Sequence, residues 1–345
     1  MKNKKFSLII PYHFEDIALL ERLCCSVLSQ VYFDFEKLET IIVANFALCD
    51  HPQYYNIFLQ LSYKFPRLNI TVEEETIEGP SAARNKGLEV AEGEYILFAD
   101  CDDGYANNSV FCQFVRDVTS CPDVDYMSYN FIETLSEPNG PRMQFITHHE
   151  DDIWSFAKIY KRAFLDKYNI RFCNDLIVYE DTHFCRLCKT LADNPRHSFA
   201  APVYSWLNRK GSTIRTGGDK RKILNHEYMF KNLVAVVNDK KRIEELPNIS
   251  LDKLEALKQL EQEAVKWVVG SALDVKQLSV LANERDAFES IIPYITAIRE
   301  YAPYITPEWF YDFVQTEKLD LFMQGIEYKN VLSNIGYIHN LIFTA

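Results

Sequence analysis

Three carboxylates follow directly on an apolar segment of the chain. In the stretch EYILFADCDD, the residues from Tyr95 to Ala99 are apolar, and Asp100, Asp102 and Asp103 come next. Close carboxylates repel each other and raise each other's pKa, so packing alone gives no reason to place three of them at one strand end. A D-x-D pair supplies oxygen ligands for a hard cation such as Mg²⁺ or Mn²⁺ that also binds a diphosphate. The alternative is an Asp-rich turn, since Asp favours turns and helix N-termini.

The first hundred residues predict a sheet that positions these carboxylates. Four apolar runs have the length of strands: 6–11, 39–46, 69–74 and 94–99. Three intervening segments carry apolar residues at helical spacing: 16–30, 51–65 and 81–91. This alternation predicts an α/β fold with a mostly parallel sheet and helices on both faces. Ligands of such sheets bind beyond the carboxyl ends of the strands, where the three Asp residues fall.

The rest of the chain divides into a mixed region and a helical region. We expect helices near 107–119, 155–168 and 181–192, and strands near 124–133 and 199–207. After the turn RTGGDK, helices are expected at 221–238, 250–269 and 284–300. The cluster HHEDD is expected to be a solvated loop before a helix that begins near Ile153. The change in character predicts two domains, 1–215 and 216–345.

Composition excludes several classes of protein. The chain has 345 residues, of which 48% are hydrophobic and 25% charged, and its formal net charge of -12 argues against a nucleic-acid partner. Its N-terminal segment does not resemble a signal peptide, and no apolar stretch has the length of a membrane span. We therefore expect a cytoplasmic protein that can rest on the inner face of the membrane. The nine cysteines show no disulfide spacing, and the CxxC of Cys185 and Cys188 lacks the second ligand pair of a zinc site.

Four blocks of the sequence together resemble the family 2 glycosyltransferases of the GT-A fold. They are FSLIIPYHFED, GPSAARNKGLEVAEGEYILFADCDD, IWSFAKIYKRAFLDKYNIRFCNDLIVYEDTHF and VYSWLNRKGSTIR. Their order and spacing match the family over about residues 5–215, and the helical region after 216 lies outside the resemblance. The resemblance implies a GT-A, Rossmann-like catalytic domain that binds a nucleotide sugar, followed by a helical extension.

The resemblance also implies roles for the acidic residues. Asp102 would hold Mn²⁺ or Mg²⁺, with Asp100 toward the metal shell or the ribose and Asp103 nearby. Arg84 would face the donor side of the cleft, and the alternative is a salt bridge that holds its helix against Asp100. Asp181 of YEDTHF would be the catalytic base, and the alternative is an acidic helix start that favours the helix dipole.

Further residues are implied at the donor site. Arg209 and Ser212 would belong to a cationic loop that closes over the diphosphate, and the alternative is a solvated basic loop. Pro11 ends the first strand beside the donor. Asn45 follows Ala44 where the family has an acidic turn, so a neutral amide would contact the base or the ribose. The chain lacks the Q-x-x-R-W of processive relatives, which favours transfer of one sugar at a time.

These roles describe a metal-dependent inverting glycosyltransferase. It would move a sugar from a nucleotide-diphosphate donor, a UDP-sugar, to a saccharide or lipid-linked acceptor in bacterial surface polysaccharide synthesis. The alternative is a catalytically silent nucleotide-sugar-binding or scaffolding subunit of a glycan assembly complex, which the altered VANF strand end favours. A nucleotidyltransferase would need a Gly-rich phosphate loop where this chain has PYHFED. The C-terminal helices are candidates for pairing subunits into a homo-oligomer, covering the acceptor or contacting the membrane.

Overall fold

A computed structural model describes most of the chain. The described residues are 4–136, 143–150, 153–208, 218–282, 289–318 and 328–344. The chain forms two compact units, Met1–Ser212 and Thr213–Ala345. The predicted domain boundary near residue 216 lies outside the described residues and stays a prediction.

The first unit contains two sheets and the helices that cover them. Its strands are β1 (Phe6–Tyr12), β2 (Leu38–Ala44), β3 (Ile70–Glu74), β4 (Tyr95–Phe98), β5 (Gly104–Tyr105), β6 (Tyr126–Tyr129), β7 (Phe131–Ser136), β8 (Met143–His148), β9 (Lys158–Lys161), β10 (Pro195–Ser198) and β11 (Tyr204–Asn208). Its α-helices are α1 (Ile17–Leu28), α2 (Gln53–Lys64), α3 (Pro80–Val90), α4 (Val110–Ser120), α5 (Arg162–Lys167) and α6 (Glu180–Leu191).

The large sheet has the strand order β10-β6-β9-β4-β1-β2-β3. Strand pairs are parallel throughout except at β9, which runs antiparallel to both of its neighbours. Leu8, Ile9 and Ile10 of β1 are completely buried, as expected for a central strand covered on both faces. The predicted α/β fold with a mostly parallel sheet is therefore confirmed.

Helix α3 lies against the large sheet and brings Arg84 to its carboxyl edge. It contacts β1, β2 and β3. A Cβ atom at Gly87 would lie 2.4 Å from Ile9 Cγ2, so only glycine allows this close approach. The carboxamide of Asn85 donates to the carbonyl of Phe172 at 2.8 Å and accepts from the Phe172 N–H at 2.8 Å. These contacts fix the orientation of the helix that carries Arg84.

The small sheet, with the order β5-β11-β7-β8, is where the sequence predictions were wrong. The single strand expected near 124–133 is two strands, β6 and β7, in different sheets. The carboxamide of buried Asn130, which lies between them, donates to the Ala200 carbonyl at 2.9 Å and helps to separate the two strands.

Two other expectations in this region also fail. The helix expected over 155–168 is replaced by β9 and the short helix α5, because β9 completes the large sheet between β4 and β6. The cluster HHEDD is not a loop throughout, because its first residue, His148, is the last residue of β8. The His148 ring stacks on Phe131 of β7, and the ring centroids are 4.5 Å apart. No helix begins at Ile153, and residues 151 and 152 lie outside the described residues.

The second unit is helical over its described residues, as expected. Its α-helices are α7 (Gly218–Glu244), α8 (Leu251–Ala282), α9 (Ile292–Thr296), α10 (Ile298–Tyr301), α11 (Pro307–Phe313) and α12 (Tyr328–Phe343). Leu257 and Val265 of α8 are completely buried, whereas Leu251 in its first turn is 82% exposed. Across the described residues, helices long and apolar enough to cross a membrane are absent.

Candidate active site

The carboxylate loop after β4 is anchored from the small sheet. The hydroxyl of Tyr204 on β11 donates to Asp103 Oδ2 at 3.0 Å and accepts from the backbone N–H of Asp100 at 3.0 Å. The other oxygen of Asp103 accepts from the Leu207 N–H at 2.8 Å. Burial, followed by the charges of Asp100 and Asp102, raises the pKa of Asp103 well above its ordinary value. Both Asp103 oxygens therefore bond to protein donors, and this carboxylate holds the loop in place.

The two other carboxylates of the loop are accessible. Asp100 and Asp102 are both partly exposed, and the side chain of Asp100 is 32% exposed. The backbone carbonyl of Asp102 accepts a hydrogen bond from Arg22 of α1. Asp100 and Asp102 are thus presented at the carboxyl edge of the sheet by a backbone that is fixed on both sides.

Arg84 joins three acidic residues from two parts of the chain. One terminal nitrogen lies 3.0 Å from Asp100 Oδ1, and the other lies 3.1 Å from Asp181 Oδ1 and 3.3 Å from Glu180 Oε1. Its side chain is only 4% exposed and lies over the ring of Phe172. Burial lowers the pKa of Arg84, but the charges of Asp181, Asp100 and Glu180 outweigh it and the net shift is upward. The alternative stated for Arg84, a salt bridge to Asp100, is therefore present, and Arg84 also contacts Glu180 and Asp181.

Glu180 and Asp181 form the first turn of α6. Tyr179, just before the helix, has φ = 69°, a left-handed conformation that is strained for a bulky residue. This turn directs both carboxylates toward Arg84. Burial and then the charge of Asp181 raise the pKa of Glu180 to about 7, against the lowering effect of Arg84.

Asp181 is buried beside a hydroxyl that was not singled out from the sequence. Burial raises the pKa of Asp181, the charge of Arg84 lowers it, and that of Asp100 raises it again. Hydrogen bonds from the hydroxyl and the backbone of Ser155 also lower it. Ser155 is buried, and its carbonyl accepts from the Tyr160 hydroxyl at 3.0 Å, so its position is fixed. The result is a desolvated carboxylate with a pKa above its ordinary range.

The proposed donor side lies at the ends of β1 and β2. Pro11 of β1 pairs in register with Val43 of β2 and is partly exposed. Asn45 is buried, and its amide nitrogen donates to the carbonyls of Glu75 and Ile77 at 3.2 and 2.6 Å. Its amide oxygen accepts from the Gly79 N–H at 2.8 Å. Asn45 therefore shapes the loop before α3.

The structure brings some predicted site residues together and leaves others undescribed. Arg84 directly contacts both Asp100 and Asp181, whereas Asp103 and Asn45 hydrogen-bond to other parts of the protein. The predicted residues Arg209 and Ser212 lie outside the described residues. Sequence reasoning missed Ser155 and Tyr204. The only signal for Tyr204 was its place in the quoted block VYSWLNRKGSTIR, and Ser155 was assigned to a helix that does not form.

Comparison with known proteins identifies the family of this fold. The family described as "Glycosyl transferase family 2" matches residues 7–177. The amylovoran biosynthesis glycosyltransferase AmsB of Erwinia amylovora is 27% identical over 103 residues, which are 30% of this chain and 32% of that protein. The poly(ribitol-phosphate) beta-N-acetylglucosaminyltransferase TarS of Staphylococcus aureus is 26% identical over 191 residues, 52% of this chain and 31% of that protein. The chain thus matches about a third of the length of these relatives.

Solved structures share the fold at low sequence identity. The crystal structure of S. aureus TarS has a TM-score of 0.62 at 15% identity and covers 97% of this chain and 55% of that chain. The crystal structure of TarS 1–349 in complex with UDP-GlcNAc has a TM-score of 0.54 at 18% identity, and the match covers 88% of this chain and 93% of that chain. The mannosyltransferase PcManGT of Pyrobaculum calidifontis, in complex with GDP-Man and Mn²⁺, has a TM-score of 0.51 at 16% identity. This match covers 88% of this chain and 82% of that chain.

The resemblance stated from sequence motifs is therefore confirmed at the level of family and fold. The matched region contains β1 to β4, the carboxylate loop and Arg84, and it ends just before the acidic start of α6. Through this region the chain belongs to glycosyl transferase family 2.

Proposed function

We propose that this protein is a metal-dependent inverting glycosyltransferase that moves a sugar from a nucleotide-diphosphate donor to a hydroxyl of an acceptor. The observation that carries the proposal is the contact of one buried arginine with Asp100 and with Asp181, at 3.0 and 3.1 Å. This contact places a desolvated carboxylate beside the loop that faces the donor in the family. The arrangement suits a single displacement at the anomeric carbon.

Asp181 is the proposed catalytic base. A general base works best when its pKa lies near the operating pH, and burial raises the pKa of Asp181 toward that range. In the proposed reaction Asp181 accepts the proton of the acceptor hydroxyl while that oxygen attacks the sugar. One attack from the face opposite the leaving diphosphate inverts the configuration of the anomeric carbon. Arg84 and Ser155 keep the carboxylate oriented for this step.

Asp102 and Asp100 are the proposed ligands of Mn²⁺ or Mg²⁺. Their carboxylate oxygens, partly exposed at a strand end, are the ligand type these ions prefer. Among the described residues, no group of three or more His, Cys, Asp or Glu side chains is arranged to hold a metal ion. Mg²⁺ is often held by one or two carboxylates together with substrate phosphates, and the proposed pair matches that number. When bound, the ion supplies positive charge that offsets the negative charge of the leaving diphosphate.

The donor proposed first is a UDP-sugar. The complex of TarS with UDP-GlcNAc supports this choice, because the two proteins share a fold. Pro11 and Asn45 are proposed to line the donor site. Arg209 and Ser212 are proposed to close over the diphosphate, and their positions stay a prediction.

The acceptor proposed is a saccharide or a lipid-linked saccharide in bacterial surface polysaccharide synthesis, with one sugar added at a time. The names of two relatives support this setting: AmsB is an amylovoran biosynthesis glycosyltransferase, and TarS is a poly(ribitol-phosphate) beta-N-acetylglucosaminyltransferase. Contact with the inner membrane surface and pairing of subunits through the C-terminal helices stay predictions.

A second candidate is a nucleotide-sugar-binding subunit without catalysis. It is favoured by the β2 end, where Ala44 and Asn45 replace the acidic turn of the family and the Asn45 amide hydrogens both bond to backbone carbonyls. Such a protein would bind a nucleotide sugar with no turnover, so the two candidates differ in a measurable way.

The experiment is a screen of nucleotide sugars for release of free nucleoside diphosphate, first without acceptor and then with candidate acceptors, in Mn²⁺, Mg²⁺ or EDTA. We expect metal-dependent release from one donor and its loss in Asp102→Ala. Asp34→Ala is the matched control, because Asp34 is exposed and precedes β2 at the opposite end of that strand. Binding of a donor with no release under any condition would contradict the enzyme and support the binding subunit.

A further inference from the structure

One face of the small sheet is turned toward the carboxylate loop. Tyr204 of β11 reaches this loop, since its hydroxyl bonds to Asp103 and to the backbone of Asp100. Side chains alternate along a strand, so Trp206, two residues further on, lies on the same face. Trp206 pairs in register with Glu133 of β7, which places Glu133 on this face as well.

Trp154 packs against Trp206, and hydrogen bonds to its carbonyl fix its backbone position. The two indole rings have centroids 4.7 Å apart at an angle of 43°, and both side chains are partly exposed. The carbonyl of Trp154 accepts from Lys158 Nζ at 2.5 Å and from Cys185 Sγ at 3.3 Å. The next residue, Ser155, is the hydrogen-bond partner of Asp181. The indole pair therefore begins one residue from the group that orients the proposed base.

A carboxylate–imidazole pair extends the same face. Glu133 Oε2 lies 2.9 Å from His148 Nε2, and the His148 ring stacks on Phe131. The Glu133 side chain is only 7% exposed, whereas that of His148 is 30% exposed. The face thus offers flat apolar rings and, next to them, a fixed polar pair that can bond to hydroxyl groups.

We propose that Trp154, Trp206 and the Glu133–His148 pair form the acceptor-binding face of this protein, and that it takes a pyranose ring. This inference rests on the proposed function, because it names the acceptor of the same site. Binding sites for small ligands combine aromatic walls with a few placed polar groups, and the apolar side of a pyranose ring matches an indole face. A polyol phosphate fits less well, because the Glu133 carboxylate on this face repels phosphate.

The test compares Trp206→Leu with Trp206→Phe in the full chain. Phe145→Leu is the matched control: Phe145 is 68% exposed on the neighbouring β8 but pairs with Thr134, so it lies on the opposite face from Glu133. Three quantities are measured for each variant: donor hydrolysis without acceptor, kcat and KM for transfer, and binding of acceptors by ligand-observed NMR. The probes are methyl β-D-glucopyranoside, methyl β-D-galactopyranoside, N,N'-diacetylchitobiose and ribitol 5-phosphate.

We expect Trp206→Leu to raise the acceptor KM for pyranosides by about tenfold, the size of one lost aromatic contact. Its donor hydrolysis should stay within about twofold of the wild-type rate, since the contact is made by the acceptor alone. Trp206→Phe should recover most of the acceptor affinity, and Phe145→Leu should match the wild type.

Several results would overturn the inference. An unchanged pyranoside KM in Trp206→Leu is one, and an equal fall in transfer and donor hydrolysis is another. Better binding of ribitol 5-phosphate than of every pyranoside would also overturn it, as would the absence of pyranoside binding to the wild type. Failure of the wild type to turn over any donor would reject the proposed function instead. In that case loss of pyranoside binding in Trp206→Leu would still support binding of a pyranose ring at this face.

Discussion

Replacing Glu180 by glutamine is expected to remove a large pH dependence of stability. Burial and the charge of Asp181 raise the pKa of Glu180 from 4.5 to about 7. A carboxyl group whose pKa is raised by folding stabilises the folded state below its unfolded pKa, and this contribution is lost as the pH rises through the folded pKa. The window here is pH 4.5 to about 7. At about 1.4 kcal/mol per pKa unit, the free energy of unfolding of the wild type falls by on the order of 3 kcal/mol across this pH window.

The assay is thermal unfolding of wild type and Glu180→Gln at pH 5 and pH 8. In a unit of this size, each kcal/mol of stability shifts the Tm by about 2–4 °C. The Tm of the variant minus that of the wild type should therefore increase by on the order of 6–12 °C from pH 5 to pH 8. Loss of the contact with Arg84 changes the Tm of the variant at both pH values, so the prediction concerns only how the Tm difference changes between pH 5 and pH 8.

Glu89→Gln is the control for this measurement. Its side chain is 65% exposed at the surface of α3, and the same substitution there should leave the pH dependence unchanged. An equal Tm difference at pH 5 and pH 8 in Glu180→Gln would refute the reasoning, because it would mean that Glu180 binds protons alike in the folded and unfolded states.

Three further predictions follow from buried contacts. Arg84→Met should lower the free energy of unfolding by about 3–5 kcal/mol in urea denaturation. The loss should be smaller at pH 5 than at pH 8, because the carboxylates left behind take up protons. An equal loss at the two pH values would contradict this. Tyr204→Phe removes a donor to buried Asp103 and should lower the free energy of unfolding by about 1–3 kcal/mol. It should also weaken Mn²⁺ binding at the proposed metal site in calorimetric titration, and unchanged Mn²⁺ affinity would contradict a role of Tyr204 in positioning that site. Gly93→Ala should destabilise by about 1–3 kcal/mol, because the new Cβ would lie 2.6 Å from a backbone nitrogen of β1. Its control, Gly336→Ala in α12, meets nothing within 4 Å and should stabilise by about 0.5–1 kcal/mol; equal effects of the two would exclude crowding as the cause.

The large sheet was predictable because its strands carry a strong local signal. β4 is an uninterrupted apolar run, and β1 and β2 are apolar over most of their length. This is the pattern of strands buried on both faces, and helical segments separate these strands. The small sheet was not predictable in this way. Its strand β8 is exposed along most of its length, so burial imposes no apolar pattern on it. The antiparallel insertion of β9 depends on pairing with β4 and β6, which lie far away in sequence.

The candidate site was predictable where a motif carried it. Asp100, Arg84 and Asp181 were all singled out from the sequence, and in the structure Arg84 contacts both carboxylates. Ser155 and Tyr204 were not, because their roles arise from hydrogen bonds between distant segments rather than from local spacing. A hydroxyl has no sequence signature for the carboxylate that it will meet in the fold.

The most direct test of the central claim is the transfer rate of Asp181→Asn, measured with the donor found in the nucleotide-sugar screen and its best acceptor. The substitution keeps the size of the side chain and removes its capacity to accept a proton. We predict that kcat for transfer falls by about 10²–10⁴-fold while donor binding is retained, and that the wild-type product has the inverted anomeric configuration. Transfer by Asp181→Asn at the wild-type rate would contradict the account.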